Sequence, residues 1–341
     1  MSAHARAALI IGLLAIALAF PLVAANEYFV YVLTLAYIMA ISAIGLNLLV
    51  GYAGQLNLAH AGFMAIGAYT LGILTVDYGV PYWVSFVSSG VTSCLLGAVA
   101  GIISLRLRGH FFSIFTLCIG FIIFLVIEKW DDLTHGVVGL MGIPAPPGIG
   151  PIQFSTTTGQ YYLVFAFLLL SIFVMRRIVN SLLGRAFMAV RNSEGLAEAL
   201  GVRLMRTKLT AFILSTFYAG IAGALYAGFV RFLGPNIALT DNTFDLIAYI
   251  LVGGIGTLFG PLLGAIMLTA LTQSLQFLQE YRMIVFGPLL ILLVMFFPQG
   301  IFGALRQRQM HNRSKQQSAL DRVKPIPTID DPSRMEASVD A

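Results

Sequence analysis

Between Tyr28 and Val76 the chain carries no Asp, Glu, Lys or Arg. A bare ion at bilayer depth costs at least a few kcal/mol, so uncharged sequence of this length is what lipid demands. At about 1.5 Å per residue the stretch is too long for one crossing of a ~30 Å hydrocarbon core and fits two. Its centre reads Gly45-Leu-Asn-Leu-Leu-Val-Gly-Tyr-Ala-Gly-Gln-Leu-Asn-Leu-Ala-His-Ala-Gly62. The break between crossings is expected near Gly51-Tyr-Ala-Gly54, where two glycines weaken a helix and permit positive φ. Asn47, Gln55, Asn57 and His60 surround it, and Ala61, Ala65, Ala68 and Gly72 follow as a small-residue stripe at helical spacing. Uncharged polar groups at a broken membrane helix, flanked by a packing face, point to a solute pathway. The alternative is that these amides only satisfy freed backbone groups and tie helices together.

Composition extends this reading to the whole chain. Of 341 residues, 58% are hydrophobic and 10% charged, and the mean hydropathy is +0.89. A soluble domain carries about 25% charged residues, so the fold class is an all-α polytopic membrane protein. The net charge of +5 is not a nucleic-acid signal, because the basic residues group by membrane side. Cys94 and Cys118 lie within apolar runs and read as small buried hydrophobes, not as a disulfide or a metal site.

Apolar runs place spans near 7–25, 28–50, 57–76, 82–105, 111–128, 160–175, 209–230, 244–258, 260–279 and 283–302. The short, glycine-rich eighth leaves nine as the alternative count to ten. The first could be an export signal with Val23-Ala-Ala25 as cleavage site, but the apolar segment that follows favours an uncleaved helix. If the spans alternate, Arg6, Arg106, Arg108, the basic residues between Arg176 and Lys208, and those from Arg306 to Arg334 all fall on one side. Most of the acidic residues fall on the other. The positive-inside rule then puts both termini in the cytoplasm.

The transmembrane domain is expected over residues 1–303, with a long external loop at 129–159, a cytoplasmic loop at 176–208 and a disordered cytoplasmic tail at 304–341. The external loop is glycine- and proline-rich and should be ordered or briefly re-entrant. A faint repeat aligns Leu49-Val-Gly-Tyr-Ala-Gly-Gln-Leu56 with Leu251-Val-Gly-Gly-Ile-Gly-Thr-Leu258, and Gly62 with Gly264. Transporters are often built from such halves, with the site near the paired broken helices. Gly253, Gly254, Gly256 and Gly260 of the second copy therefore join the candidate path.

The cytoplasmic loop has its own pattern. Asn192 or Ser193 suits an N-cap, Glu194 the first turn, and Gly201 the end of a short helix with Leu196 and Leu200 on one face and Glu194 and Glu198 on another. Two turns are marginal alone. Such a helix makes sense docked on a partner, with Arg185 and Arg191 as charged contacts; the alternative is a loop whose arginines meet anionic lipid.

Gly45–Thr75, Thr134–Pro144, Gly184–Ala227 and the Gly253–Ala265 stretch resemble the permeases of bacterial branched-chain amino acid ABC importers, of the LivM type. The resemblance covers roughly residues 28–302. It implies a bacterial inner-membrane importer of two different permeases, two ATP-binding subunits and a periplasmic binding protein. ATP and Mg would be bound by the partner subunits, and the helix at Arg191–Gly201 would couple to them. Where more polar residues are expected, this chain has His135, Val137 and Val138. Urea and other amide importers share much of the same frame and are the alternative.

The residues support a mechanical role. No Gly-x-x-x-x-Gly-Lys-[Ser/Thr] occurs, and no lysine follows a glycine. Asp245 and Glu280 sit at span ends, and His60 lacks a carboxylate neighbour in sequence, which argues against a lone ion-coupled carrier. The scattered histidines and the absence of a nucleophile-and-base pattern argue against an intramembrane enzyme. The candidate path offers no carboxylate and guanidinium pair, so selectivity is expected to rest with the binding protein.

Overall fold

The computed structural model describes residues 12, 15–24, 26–107, 109–148, 153–274, 287 and 295. The expected span at 283–302, apart from two residues, the tail at 304–341 and the first part of the span at 7–25 lie outside them. After a helical stretch at residues 15–23 come α1 (Glu27–Asn47), α2 (His60–Val76), α3 (Tyr82–Ser104), α4 (His110–Lys129) and a one-turn α5 (Asp131–Thr134). They are followed by α6 (Thr157–Val179), α7 (Leu182–Asn192), α8 (Glu194–Ala199), α9 (Leu204–Val230), α10 (Thr240–Gly253) and α11 (Gly260–Ser274). Among the described residues α1 with its π-helical extension, α3, α4, α6 and α9 are long and apolar enough to cross a membrane. The chain is an all-α polytopic membrane protein.

Helix starts follow local chemistry. Asn26 accepts from the Tyr28 N–H at 3.1 Å to cap α1, Thr156 caps α6 through the Gly159 N–H at 3.1 Å, and Pro81 precedes α3. Two expected boundaries are corrected. α6 runs on to Val179 and α9 begins at Leu204, so Arg176, Arg177, Arg206 and Lys208 belong to the ends of long helices, not to a loop. Cations in the last turn of α6 meet the negative end of its dipole, and their stems can reach along the helix toward water. The span expected at 244–258 starts earlier and stops at Gly253, because Gly254 (φ +123°) and Gly256 (φ +69°) leave helical space.

α9 is the central post, packed against α1, α2 and α3. Over their apolar windows α1 and α9 are 72% and 67% buried, whereas α3, α4 and α6 are 22–33% buried and turn Val87, Leu95, Ile122 and Phe173 outward. Helices apolar all round belong inside; the rest offer a wall to lipid or to a second subunit. Cys118 is exposed on that wall, not buried as expected, and Cys94 is half-buried. At the α2–α9 crossing Gly67 sits on the Gly220 backbone, with no room for a Cβ. Close backbone approach replaces the hydrophobic driving force that lipid does not supply.

At the end of the molecule opposite α7 and α8, Leu140–Met141 pairs antiparallel with Phe232–Leu233. This short ladder orders the loop after α5 and covers Gly72 with Leu140 and Ile143.

Candidate functional site

The first break is built at the end of α1. The helix widens into a π-turn over Leu48–Tyr52, and Gly54 then takes φ +71°. Widened turns and positive φ release backbone groups that lipid cannot satisfy, so partners must be internal. The Gln55 N–H reaches Leu49 O at 3.0 Å, and Asn57 Oδ1 accepts from the Ala59 N–H at 3.0 Å. Thr116 of α4 accepts from the Leu58 N–H at 3.1 Å and Thr243 of α10 from the Ala61 N–H at 3.0 Å. The restart of helix at His60 is therefore fixed by neighbours on two other elements.

The second break, Gly254–Phe259, lies against the first. Thr257 Oγ1 donates to Gly254 O at 2.7 Å and accepts from the Gly260 N–H at 3.1 Å, which starts α11. Gly253 packs on the Gly260 carbonyl. Asn47 joins the two breaks: its Oδ1 accepts from the Gly256 N–H at 2.9 Å and its Nδ2 donates to Thr257 O at 2.8 Å. Gly54 and Gly256 occupy equivalent places in the faint repeat and have nearly the same left-handed φ, +71° and +69°.

The basic end of the molecule closes over this crossing. α7 buries Gly184, Phe187 and Val190 at helical spacing. At its end Arg191 Nη1 donates to the Gly51 carbonyl, one of the orphan carbonyls of the α1 terminus. A Cβ on Gly256 would lie 2.8 Å from the same nitrogen, and one on Gly54 would lie 3.0 Å from Arg191 Cγ. Ser193, extended, accepts from the Leu196 N–H at 3.3 Å and caps α8. Glu194, the first residue of α8, pairs with Lys208 of α9 at 2.6 Å and accepts from Gln55 Nε2 at 3.4 Å. Lys208 is 4% exposed.

The residues expected to contact a partner thus divide. Arg191, although exposed along much of its length, and Glu194 reach to the breaks, while Arg185, Leu196, Glu198 and Leu200 are exposed away from them and Gly201 ends the turn with φ +85°. Beside them a recess of ≈ 600 Å³ is lined by Arg106, Glu194, Glu198, Arg203, Arg206 and Lys208, among others. The short helix expected after a cap at Asn192 or Ser193 is α8, capped by Ser193; α7 before it is a further helix that was not expected, and extended Ser193 separates the two.

Of the residues expected along a path, Asn47, Gly51, Gln55, Asn57, His60, Gly253, Gly254 and Gly260 are buried against protein, whereas Gly54 is exposed and Gly256 partly so. His60 is fully buried, with Nε2 3.0 Å from Ser42 O and Nδ1 3.5 Å from Ser215 Oγ. Asn57 Nδ2 is buried without a hydrogen-bond partner among the described residues. The open space lies further toward the other end: a cavity of ≈ 340 Å³ bounded by α1, α2, α9, α10, α11 and the turn before α10. Its polar lining includes Asn236, Asn242, Asp245, Thr269, Thr272 and Gln273. None of these was singled out as a path residue from sequence. The available signal was Asn242 and Asp245 three apart on one helix, with Thr269, Thr272 and Gln273 on the next.

The family model for the branched-chain amino acid transport system permease component matches residues 28–294. Over 320 residues the chain is 32% identical to the high-affinity branched-chain amino acid transport system permease protein LivM of Escherichia coli strain K12 and to LivM of Salmonella typhimurium strain LT2, covering 87% of this chain and 75% of each relative. LivH of Escherichia coli strain K12 is 27% identical over 314 residues, with 82% of this chain and 97% of the relative covered. The autoinducer 2 import system permease protein LsrC of Klebsiella pneumoniae is 29% identical over 276 residues, covering 76% of each. No solved structure matches.

Proposed function

Since the chain belongs to the branched-chain amino acid transport system permease family, we propose that it is the permease subunit of an ABC importer for branched-chain amino acids in the bacterial inner membrane. Its partners are a second permease, two ATP-binding subunits and a periplasmic binding protein. It carries no chemistry of its own; it is a gated path worked from the basic, cytoplasmic end.

The observation that carries this reading is the wiring of the loop to the breaks. Arg191 bonds to Gly51, and Glu194 bonds to both Gln55 and Lys208. A push on the exposed Leu196 and Leu200 face therefore reaches the crossing of the two broken helices through polar contacts, without a flexible linker between. Asn47 passes it from the first break to the second. The bonded crossing is the closed gate, and ATPase closure on α8 moves it.

Reconstituted uptake tests the proposal. Leucine, isoleucine and valine should accumulate in vesicles only with the ATP-binding subunits, ATP on their side and liganded binding protein on the other. Concentrative uptake by the permease alone, driven by an ion gradient, would overturn it.

A further inference from the structure

Another open space lies on the outer wall, between α6 and α9. It holds ≈ 190 Å³ and is lined by Leu170, Val174 and Ile178 of α6 and Leu214, Phe217 and Ile221 of α9. Its floor is Tyr218, whose hydroxyl donates to the Ser171 carbonyl at 2.9 Å. From Ile178 the groove runs back along α6 to Phe167, a rise of about 16 Å. Half of a hydrocarbon core is about 15 Å, so the groove is one leaflet deep and starts at the basic end. Arg176 and Arg177 stand there, and neither has a carboxylate partner among the described residues. Arg177 follows Leu170 and Val174 on the same stripe of the helix. Its guanidinium does not reach on toward water. Cζ lies 5.2 Å from the centroid of Phe173, one turn back, and Phe173 is 55% exposed on the wall. A cation without a described counter-charge is thus held on the lipid side of the helix, at the rim of an apolar groove.

We propose that the α6–α9 groove is a binding site for an acidic phospholipid of the cytoplasm-facing leaflet, with one acyl chain between Leu170, Val174 and Phe217 and its phosphate on Arg177. Size and charge select this occupant. A helix is about 10–12 Å across and does not enter a space of ≈ 190 Å³, whereas an extended hydrocarbon chain does. A zwitterionic headgroup brings its own cation, but an acidic one leaves its negative charge for the guanidinium. Such a lipid bridges two helices that otherwise touch little, since α6 packs mainly on α1. It sits where α6 leads through Asn180 and Ser181 into α7, the helix that brings Arg191 to the first break. The site does not depend on which solute is carried; it needs only the spanning bundle with its basic end toward the cytoplasm.

The test uses the assembled transporter in vesicles that contain a trace of phospholipid with a photoactivatable diazirine in its acyl chain, as phosphatidylglycerol or as phosphatidylcholine. Crosslinked peptides are mapped by mass spectrometry. Phosphatidylglycerol should label residues 170–178 and 214–221 about fivefold more than phosphatidylcholine does. Leu95 and Ile122, on the outward faces of α3 and α4, should show no such preference. Arg177→Gln should bring the groove ratio to about one, and Arg177→Lys should keep most of it. Phe173→Leu, which unseats the guanidinium without removing it, should lower the ratio part of the way. Unchanged labelling at Leu95 and Ile122 shows that each variant is folded. Equal labelling by the two lipids in the parent overturns the proposal, as does a preference that survives Arg177→Gln. A groove that neither lipid labels overturns it too; if the isolated permease is labelled there, a neighbouring subunit is the occupant.

Discussion

Glu194 and Lys208 meet at 2.6 Å, one on the short helix α8 and the other at the root of α9, the central post of the bundle. Glu194 is about a third exposed and Lys208 almost fully buried. Removing the acid strips the buried ammonium of this carboxylate, whereas removing both charges removes the need for either. Glu194→Gln should lower the unfolding temperature of the purified permease and reduce ATP-driven uptake by about tenfold while partner ATP hydrolysis continues. The loss should stay below the roughly 3–5 kcal/mol typical of breaking a wholly buried pair. Glu194→Leu with Lys208→Met should recover stability but not coupling, as a thermal melt beside an uptake assay would show.

Asn47→Ala deletes two hydrogen bonds between the breaks and leaves the Gly256 N–H and Thr257 carbonyl without them. A fully buried unmet group costs about 1–3 kcal/mol, and these two, being part-buried, should each cost less. Asn47→Asp keeps the acceptor and loses the donor. At neutral pH, however, that carboxylate would be buried and would face the Thr257 carbonyl, so the stability order should run Asn47, then Ala, then Asp, read from melting temperatures in one detergent.

Gly54→Ala and Gly256→Ala should each destabilise, since an L-residue in left-handed space pays about 1–2 kcal/mol before any contact with Arg191 is counted. Gly195→Ala is the control. Gly195 lies in α8 with nothing within 4 Å of an added Cβ, and alanine gains about 0.8–1 kcal/mol of helix propensity there. Equal melting temperatures for all three variants would contradict the geometry of the breaks.

Ser193→Ala removes the side-chain cap of a six-residue helix, at about 1 kcal/mol. For so short a helix that is enough to fray it. Hydrogen exchange should quicken at Leu196 and Ala197 while the amides of α9 stay protected, and coupling should weaken without loss of the bundle.

Much of this was legible in the sequence because glycine, asparagine and serine act locally. Gly51 and Gly54 mark the first break, Gly254 and Gly256 the second, and Ser193 the cap of α8, each for a reason of backbone geometry. The direction of Arg191 and Glu194 was not legible. Both sit where a docking face was expected, but their partners Gly51, Gln55 and Lys208 are distant in sequence or on another element. The cavity was hidden for a related reason. Asn242, Asp245 and Gln273 are single polar residues in apolar runs, and only the packing of α10 and α11 on α1 brings them around one space. The helix boundaries near Arg176 and Lys208 slipped because a charge can end a hydropathy window without ending a helix.

α10 has 14 residues, a rise of about 21 Å. A hydrocarbon core is about 30 Å thick, so this helix runs out before the insulator does. On the gate reading proposed above, a thin plug of peptide from the two breaks, with the Arg191 guanidinium on the Gly51 carbonyl, separates the two compartments beyond Gly253. An applied voltage would drop mostly across that plug, much as it does across the narrowest dielectric in a capacitor. Current noise through a leaky variant should therefore be set by what sits at Gly51 and Gly256, and be indifferent to changes along the lipid-facing wall.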